Sequence, residues 1–85
     1  MKHVEIYTGP LCTFCDRAKA LLNKKGVSFK EIDLASDPNK MEEMIKKTNG
    51  MRTVPQIFIG ETYVGGYNEL KALEVAGKLN SLLGI

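Results

Sequence analysis

The 85-residue chain contains no tryptophan, one histidine, two cysteines and three prolines. No apolar run comes near the roughly 20 residues of a membrane-spanning helix, and the opening stretch MKHVEIYTG lacks the long apolar region of a secretory signal. We therefore expect a cytoplasmic protein without a membrane span. In that reducing compartment, a pair of cysteines is more often redox-active or metal-binding than a permanent disulfide.

Neither sign of charge dominates, because 12 lysines and arginines are interspersed with 10 aspartates and glutamates. Binding to a phosphate backbone requires basic residues collected on one surface, so we expect no nucleic-acid partner. With 44% hydrophobic residues in 85, the chain has enough apolar surface for one modest core. No repeat, linker or low-complexity segment divides it. We predict a single domain over residues 1–85.

The spacing of apolar residues predicts the element order β-α-β-α-β-β-α. A strand-helix-strand beginning implies a right-handed crossover between parallel strands, and the late hairpin adds an antiparallel pair. The sequence therefore predicts an α/β fold in which helices flank a four-stranded mixed sheet. The predicted strands cover 3–8, 27–34, 53–60 and 61–66, and the predicted helices cover 13–25, 38–49 and 68–83.

Turn and capping residues mark several of these boundaries. Asp37 is placed to cap a helix whose first residue is Pro38, and Asn68 is placed to cap the last helix. Gly26 follows the end of the first helix, where glycine is favoured. Gly60 fits the first central position of a type II′ turn between the last two strands.

The two cysteines stand three residues apart in the stretch LCTFC, where the first helix begins. Residues at this spacing are neighbours on one helical turn, about 5 to 6 Å apart, so Cys12 and Cys15 can close a small disulfide. Unpaired N–H groups and the positive end of the helix dipole favour a thiolate at Cys12. Cys15, one turn further, is more shielded. The spacing thus predicts that Cys12 attacks and Cys15 resolves the mixed disulfide.

Two other interpretations of the cysteine pair stay open at this point. In one, the cysteines only pack as small hydrophobic side chains, and the domain has no redox function. In the other, they bind zinc, but a closed zinc site needs four ligands and His3 is the chain's single histidine. We predict no metal site within the chain.

Four segments in order make the whole chain resemble a glutaredoxin, in particular a small bacterial dithiol one. They are IYTGPLCTFC at 6–15, RAKALL at 17–22, RTVPQIFIG at 52–60 and VGG at 64–66. Thioredoxins also have a C-x-x-C pair, but this chain has no tryptophan before it and no Gly-Pro within it. The glutaredoxin family is the better match.

The resemblance implies a thioredoxin-like fold and a monomeric enzyme that reduces protein disulfides and protein-glutathione mixed disulfides. Glutathione is then a co-substrate that supplies the electrons, and no cofactor is tightly bound. The implied partners are glutathionylated or disulfide-containing proteins, with ribonucleotide reductase as one candidate. Which of them is the physiological client depends on surface shape and charge, which one sequence does not reveal.

The resemblance also implies which residues hold glutathione. Cys12 carries the glutathionyl intermediate, and Phe14 stands where a tyrosine usually flanks the tripeptide. The other implied contacts are Arg52 with one carboxylate, the backbone of Thr53 and Val54, a cis Pro55, and Gly66, Tyr67 and Asn68 around the γ-glutamyl carboxylate.

Three positions depart from the usual pattern of the family. Gly9 replaces a common lysine, Thr13-Phe14 replaces Pro-Tyr, and Asn68 replaces a frequent aspartate. Because Gly9 removes a cation from beside Cys12, we predict weaker glutathione affinity than is usual in the family. Thr13 also suggests an alternative function, since some glutaredoxins without proline between the cysteines form dimers that carry a [2Fe-2S] cluster on two such cysteines and two glutathiones.

Overall fold

The computed structural model describes all 85 residues, Met1–Ile85. Its elements are β1 (Val4–Thr8), α1 (Thr13–Lys24), β2 (Lys30–Asp33), α2 (Lys40–Lys47), β3 (Gln56–Ile59), β4 (Thr62–Gly65), α3 (Tyr67–Val75) and α4 (Leu79–Leu83). The predicted order is confirmed up to the last helix, which is divided into α3 and α4. None of the helices combines the length and apolar character that crossing a membrane requires.

The four strands form one mixed sheet in the order β2-β1-β3-β4. β1 and β2 are parallel, as expected for strands joined through α1, whereas β3 is antiparallel to both β1 and β4. The predicted four-stranded mixed sheet is therefore confirmed. Ile59 pairs with Thr62 across the β3–β4 hairpin, and Gly60 has φ +59°, as the first central residue of a type II′ turn requires.

Helices cover both faces of the sheet because β1 and β3 alternate their buried side chains. On β1, Ile6 faces α1, α3 and α4, while Tyr7 faces α2. The larger cluster contains Val4, Ile6, Ala18, Leu22, Val27, Ile57, Ile59, Leu70, Leu79 and Leu83. The smaller one contains Tyr7, Ile32, Leu34, Met44 and Phe58. Full burial of such a side chain contributes about 1.5 to 3 kcal/mol, so these clusters hold the helices in place.

The prediction of one helix over 68–83 is wrong, because Gly77 ends α3. Gly77 has φ +73°, and its N–H donates to the Glu74 carbonyl oxygen at 3.1 Å. The N–H of Lys78 donates to the Leu73 carbonyl oxygen at 2.9 Å. This pair of bonds is a Schellman motif, which closes a helix when the residue after the C-cap is left-handed. The apolar spacing continues through the break, so periodicity alone did not predict it.

Two predicted helix starts are also wrong. α3 begins at Tyr67 with Gly66 as its N-cap, so Asn68 is a residue of the first turn and does not cap the helix. α2 begins at Lys40, and Pro38 lies in the preceding turn, where its carbonyl oxygen accepts the N–H of Met41 at 3.2 Å. Asp37 likewise accepts through its backbone carbonyl, from Lys40 at 3.1 Å. The second strand, predicted over 27–34, is limited to Lys30–Asp33.

Candidate active site

Three loop segments meet at one end of the sheet because of its topology. β1 ends at Thr8, and the antiparallel pairing of Tyr7 with Gln56 brings the start of β3 beside that end. β4 ends at Gly65, which pairs with Ile57 near the start of β3. The segments 9–12, 53–55 and 65–67 therefore converge, although they are far apart in sequence.

The cysteine pair lies in the first of these segments and in the turn that follows it. Cys12 is the N-cap of α1, and its Sγ accepts the backbone N–H of Cys15 at 3.0 Å. The two cysteines form a disulfide, with their Cα atoms 5.2 Å apart. Cys15 is only 1% exposed, whereas Cys12 is partly exposed. The predicted difference in shielding between the two sulfurs is therefore confirmed.

The second segment places a backbone carbonyl beside the exposed sulfur. The Val54 carbonyl oxygen lies 3.8 Å from Cys12 Sγ. The peptide bond between Val54 and Pro55 is cis, as the resemblance implied. Gly9 lies against the same residue, since a Cβ atom on Gly9 would be 3.2 Å from Val54 Cγ2. The backbone around Val54 thus forms one wall of the surface that adjoins Cys12.

A groove of about 180 Å³ lies between these segments and the start of α3. Seven of the eight residues that the resemblance assigns to glutathione line it, and these are Phe14, Thr53, Val54, Pro55, Gly66, Tyr67 and Asn68. The eighth, Arg52, is exposed and is not among the lining residues. The fold therefore brings most of the predicted contact residues together on one concave surface.

Two aromatic rings form the side of the groove nearest the cysteine pair. The rings of Phe14 and Tyr67 stack with centroids 6.1 Å apart and an interplanar angle of 24°. The guanidinium carbon of Arg17 lies 5.4 Å from the centroid of the Phe14 ring, a cation–π contact. Phe14 is nevertheless 48% exposed. An exposed aromatic ring at this place offers apolar contact area to a bound molecule.

The start of α3 forms the far end of the groove. The Gly66 N–H donates to Glu69 Oε1 at 2.7 Å, so Glu69, the third residue of α3, reaches back over the helix start. Gly65 has φ +114°, and a Cβ atom there would lie 2.8 Å from the same Glu69 oxygen. Gly66 has no side chain that could accept the first-turn N–H groups. The glycine pair thus makes room for the Glu69 carboxylate and leaves the first-turn donors without a side-chain cap.

The electrostatics of the groove are set by few groups. Glu69 is its one charged lining residue, and no cation lines it. Burial raises the pKa of Tyr63, and the nearby Glu69 carboxylate adds to the rise. A tyrosine hydroxyl is protonated at neutral pH in any case, and that of Tyr63 donates a hydrogen bond to Gln56 Oε1. No group of three or more histidine, cysteine, aspartate or glutamate side chains is arranged to hold a metal ion.

Sequence reasoning missed four residues that line the groove. They are Met51, Gln56, Tyr63 and Glu69. The sequence does contain a signal for Glu69, because a Glu at the third helical position indicates a capping box. The predicted helix start at Asn68 hid that signal, since it places Glu69 at the first helical position. Nothing local in the sequence marks Gln56 or Tyr63, because their place in the groove depends on the pairing of β3 with β4.

Comparisons by family model, by sequence and by structure all match this chain to glutaredoxins. The family model described as Glutaredoxin matches residues 4–64. The chain is 52% identical over 83 residues to glutaredoxin 3 of Escherichia coli strain K12, covering 98% of this chain and 99% of that protein. The crystal structure of a buckwheat glutaredoxin–glutathione complex aligns with a TM-score of 0.88 at 26% identity, covering 98% of this chain and 77% of that one. A solved structure described as "Metal Binding of Glutaredoxins" is 53% identical with a TM-score of 0.73, covering 98% and 89%.

Proposed function

Because the chain belongs to the glutaredoxin family, a family of thiol-disulfide oxidoreductases with a thioredoxin-like fold, we propose that it is a glutathione-dependent one. It reduces protein disulfides and protein-glutathione mixed disulfides, with Cys12 as the nucleophile and Cys15 as the resolving thiol. Glutathione is the co-substrate, and no cofactor is held tightly. The clients are disulfide-containing or glutathionylated proteins of a reducing compartment.

The placement of the Cys12 sulfur supports this proposal most strongly. It lies at the N-terminus of α1, where it accepts the Cys15 N–H at 3.0 Å, and it is partly exposed beside a groove. In the reduced protein, this N–H and the helix dipole favour a thiolate at Cys12 over a thiol. The dipole contributes about 0.3 to 1 kcal/mol, and the direct hydrogen bond adds to that. A thiolate in such a place is the attacking group of disulfide exchange.

Reduction of a mixed disulfide then takes two exchanges. The Cys12 thiolate attacks the glutathione sulfur, a bond forms between Cys12 and glutathione, and the client leaves as a thiolate that takes a proton from solvent. The thiolate of a second glutathione attacks the glutathione sulfur bound to Cys12. This step releases glutathione disulfide and restores the Cys12 thiolate. One free glutathione is therefore consumed for each client thiol released, and the other half of the glutathione disulfide comes from the client.

Reduction of a protein disulfide uses both cysteines. Cys12 attacks one client sulfur and releases the other as a thiolate, and Cys15 then attacks the Cys12 sulfur and releases the second client thiolate. The client gains two electrons, and the Cys12–Cys15 disulfide forms, which is the bond seen in the structure. Two glutathione molecules reduce it again.

The groove is the proposed binding site for glutathione. Its aromatic side at Phe14 and Tyr67 supplies apolar contact, and the backbone at Val54 can pair with an extended peptide. The first-turn N–H groups of α3 suit the γ-glutamyl carboxylate. Arg52 lies outside the lining and would meet the second carboxylate only from the rim. Recognition of the carboxylates therefore depends mainly on backbone donors.

Replacing each cysteine tests the proposal. We expect Cys12→Ser to lose reduction of a glutathionylated protein at least a thousandfold, because serine is not ionised at neutral pH. Cys15→Ser should keep that activity within about tenfold, because the mixed-disulfide route does not use Cys15. Glutathione oxidation coupled to release of the client thiol measures both rates. A Cys12→Ser protein as active as the wild type would rule the proposal out.

A second candidate function is transport of a [2Fe-2S] cluster by a dimer. Thr13, at the position usually held by proline, favours this function. So does the 53% identity to the protein whose solved structure is described as "Metal Binding of Glutaredoxins". One chain supplies one partly exposed cysteine, Cys12, so a partner chain and two glutathiones must complete the four ligands. Anaerobic reconstitution with iron, sulfide and glutathione should yield a coloured dimer. A colourless monomer would exclude this candidate.

A further inference from the structure

A buried amide connects the edge strand β4 to the loop that faces Cys12. Gln56, 2% exposed, donates from Nε2 to the Thr53 carbonyl oxygen at 3.0 Å and to Thr53 Oγ1 at 3.3 Å. On its other side, the Tyr63 hydroxyl donates to Gln56 Oε1 at 2.5 Å. We propose that Tyr63 is a positioning residue, which fixes the Thr53–Val54 backbone through Gln56 and so sets the affinity for glutathione. The inference rests on the proposed function.

The hydroxyl of Tyr63 determines which way the amide faces. A glutamine side chain can turn over and exchange its oxygen and nitrogen, and only one orientation presents the NH₂ group to Thr53. A donor at Oε1 selects that orientation, because the other one would place the Gln56 NH₂ against the Tyr63 hydrogen. A tyrosine hydroxyl is protonated at neutral pH even at its ordinary pKa of about 10, and burial raises the pKa of Tyr63 further. Without this donor, the amide oxygen loses its partner, which is unfavourable for a buried acceptor.

An irregularity in the sheet brings Tyr63 to this place. Phe58 pairs with Tyr63 while Ile57 pairs with Gly65, so β4 contains one extra residue, Val64, at this point. Bulges of this kind redirect side chains next to functional sites. The Tyr63 ring stacks on Phe58 with centroids 5.0 Å apart, and its hydroxyl extends from there to Gln56.

The segment held in this way is the one nearest the nucleophile. Thr53 receives both Gln56 hydrogen bonds, and the carbonyl oxygen of the next residue, Val54, lies 3.8 Å from Cys12 Sγ. A bound tripeptide would pair with this backbone, so order in the segment before binding lowers the entropy that binding removes. The same order has little influence on the reactivity of the Cys12 sulfur itself. We therefore expect an effect on affinity and none on the chemical step.

The variant Tyr63→Phe tests the inference, since it keeps the stacked ring and removes only the hydroxyl. We expect KM for a glutathione mixed disulfide to rise about 3- to 10-fold, the loss expected for one hydrogen bond, with kcat within about twofold. Amide hydrogen exchange at Thr53 and Val54 should become faster. The rate at which iodoacetamide alkylates Cys12 should not change. Tyr7→Phe is the matched control, because the Tyr7 hydroxyl is buried without a hydrogen-bond partner, and its KM should equal that of the wild type.

A second variant separates the proposed route from other effects of the hydroxyl. In a Gln56→Leu background, Tyr63→Phe should leave KM unchanged, because the amide that it orients is absent. If Gln56→Leu does not fold, the exchange rates of Thr53 and Val54 in Tyr63→Phe decide the question. An unchanged KM in Tyr63→Phe, a fall in kcat alone, or unchanged exchange would overturn the role of Tyr63. A wild-type protein that does not turn over glutathione would instead refute the proposed function.

Discussion

The two helices whose N-termini border the groove begin in different ways. α1 has Cys12 as its N-cap, and the Cys12 side chain accepts the Cys15 N–H at 3.0 Å, so the proposed nucleophile is also the cap. α3 begins at Gly66, which has no side chain, and Glu69 reaches back to the Gly66 N–H at 2.7 Å. One helix start is thus filled by a sulfur of the protein, and the other leaves its first-turn donors free for a ligand.

This difference shows how a helix N-terminus can stabilise either a charge of the protein or a charge of its ligand. A helix N-terminus stabilises negative charge through its unpaired N–H groups and its dipole. At α1 we propose that the charge belongs to the protein, as the Cys12 thiolate of the reduced state. At α3 we propose that the charge belongs to the carboxylate of glutathione. The residue type at the N-cap, cysteine or glycine, decides which of the two applies.

Adding a methyl group at Gly65, just before the start of α3, should have the largest effect on stability. Gly65→Ala requires φ near +114°, which costs about 1 to 3 kcal/mol, and its Cβ displaces the Glu69 side chain from its cap, which adds about 0.5 to 2 kcal/mol. Gly26→Ala is the matched control, because Gly26 has φ +72° but open space around it, and we expect about 1 kcal/mol there. Urea unfolding measures both. Equal losses would show that the Glu69 cap contributes nothing.

Changing the cap atom at α1 should have a smaller effect. In a Cys15→Ser background, which removes the disulfide, Cys12→Ser retains an oxygen that accepts the residue-15 N–H, and Cys12→Ala does not. We expect the alanine protein to be about 1 kcal/mol less stable than the serine protein. Thermal and urea unfolding of the two proteins measure the difference. The same stability in both would mean that the residue-12 side chain is not a cap.

Removing the charge from the groove should change affinity more than stability. Glu69→Gln keeps a side-chain oxygen that can accept the Gly66 N–H, but it eliminates the one charged lining residue. Glutathione carries two carboxylates and one ammonium, so its net charge is negative. We expect about a 2- to 5-fold gain in affinity, measured by calorimetry on the Cys12→Ser protein. The gain should shrink in high salt. A loss of affinity would mean that Glu69 binds the ligand directly.

Adding a cation near α1 should have the smallest effect. Gly9→Lys places a positive charge where the family resemblance implied a common lysine, and we expect about a twofold gain in glutathione affinity. Gly9→Ala is needed as a control, because any Cβ at this position lies 3.2 Å from Val54 Cγ2 and makes that side chain shift. The comparison of lysine with alanine isolates the charge. If lysine brings no gain over alanine, Gly9 does not explain a weak affinity.

Sequence patterns predicted the fold well where local rules act alone. The cysteine pair at a helix start, the hairpin at Gly60 and the helix end at Gly26 each depend on a few adjacent residues, and the structure confirms them. The break at Gly77 was missed because its apolar spacing continues into α4, so the residues on both sides of the break are buried in the same cluster.

The sequence predicted both cysteines of the site, but only some of the residues that line the groove. The family resemblance named most of the lining residues, because they fall in the quoted segments around Cys12, Val54 and Gly66. It did not reveal that Glu69 caps α3 or that Tyr63 reaches Gln56 across the sheet. Those contacts depend on an exact helix start and on strand register, which a single sequence does not specify.

The most direct test of the central claim follows the mass of the protein during reaction of the reduced chain with glutathione disulfide. If Cys12 is the accessible nucleophile and Cys15 the buried resolving thiol, Cys15→Ser should retain one glutathione, attached to Cys12. The wild type should pass through that adduct to an internal disulfide with no glutathione attached. An adduct on Cys15 in a Cys12→Ser protein, formed as fast as the one on Cys12, would contradict the account.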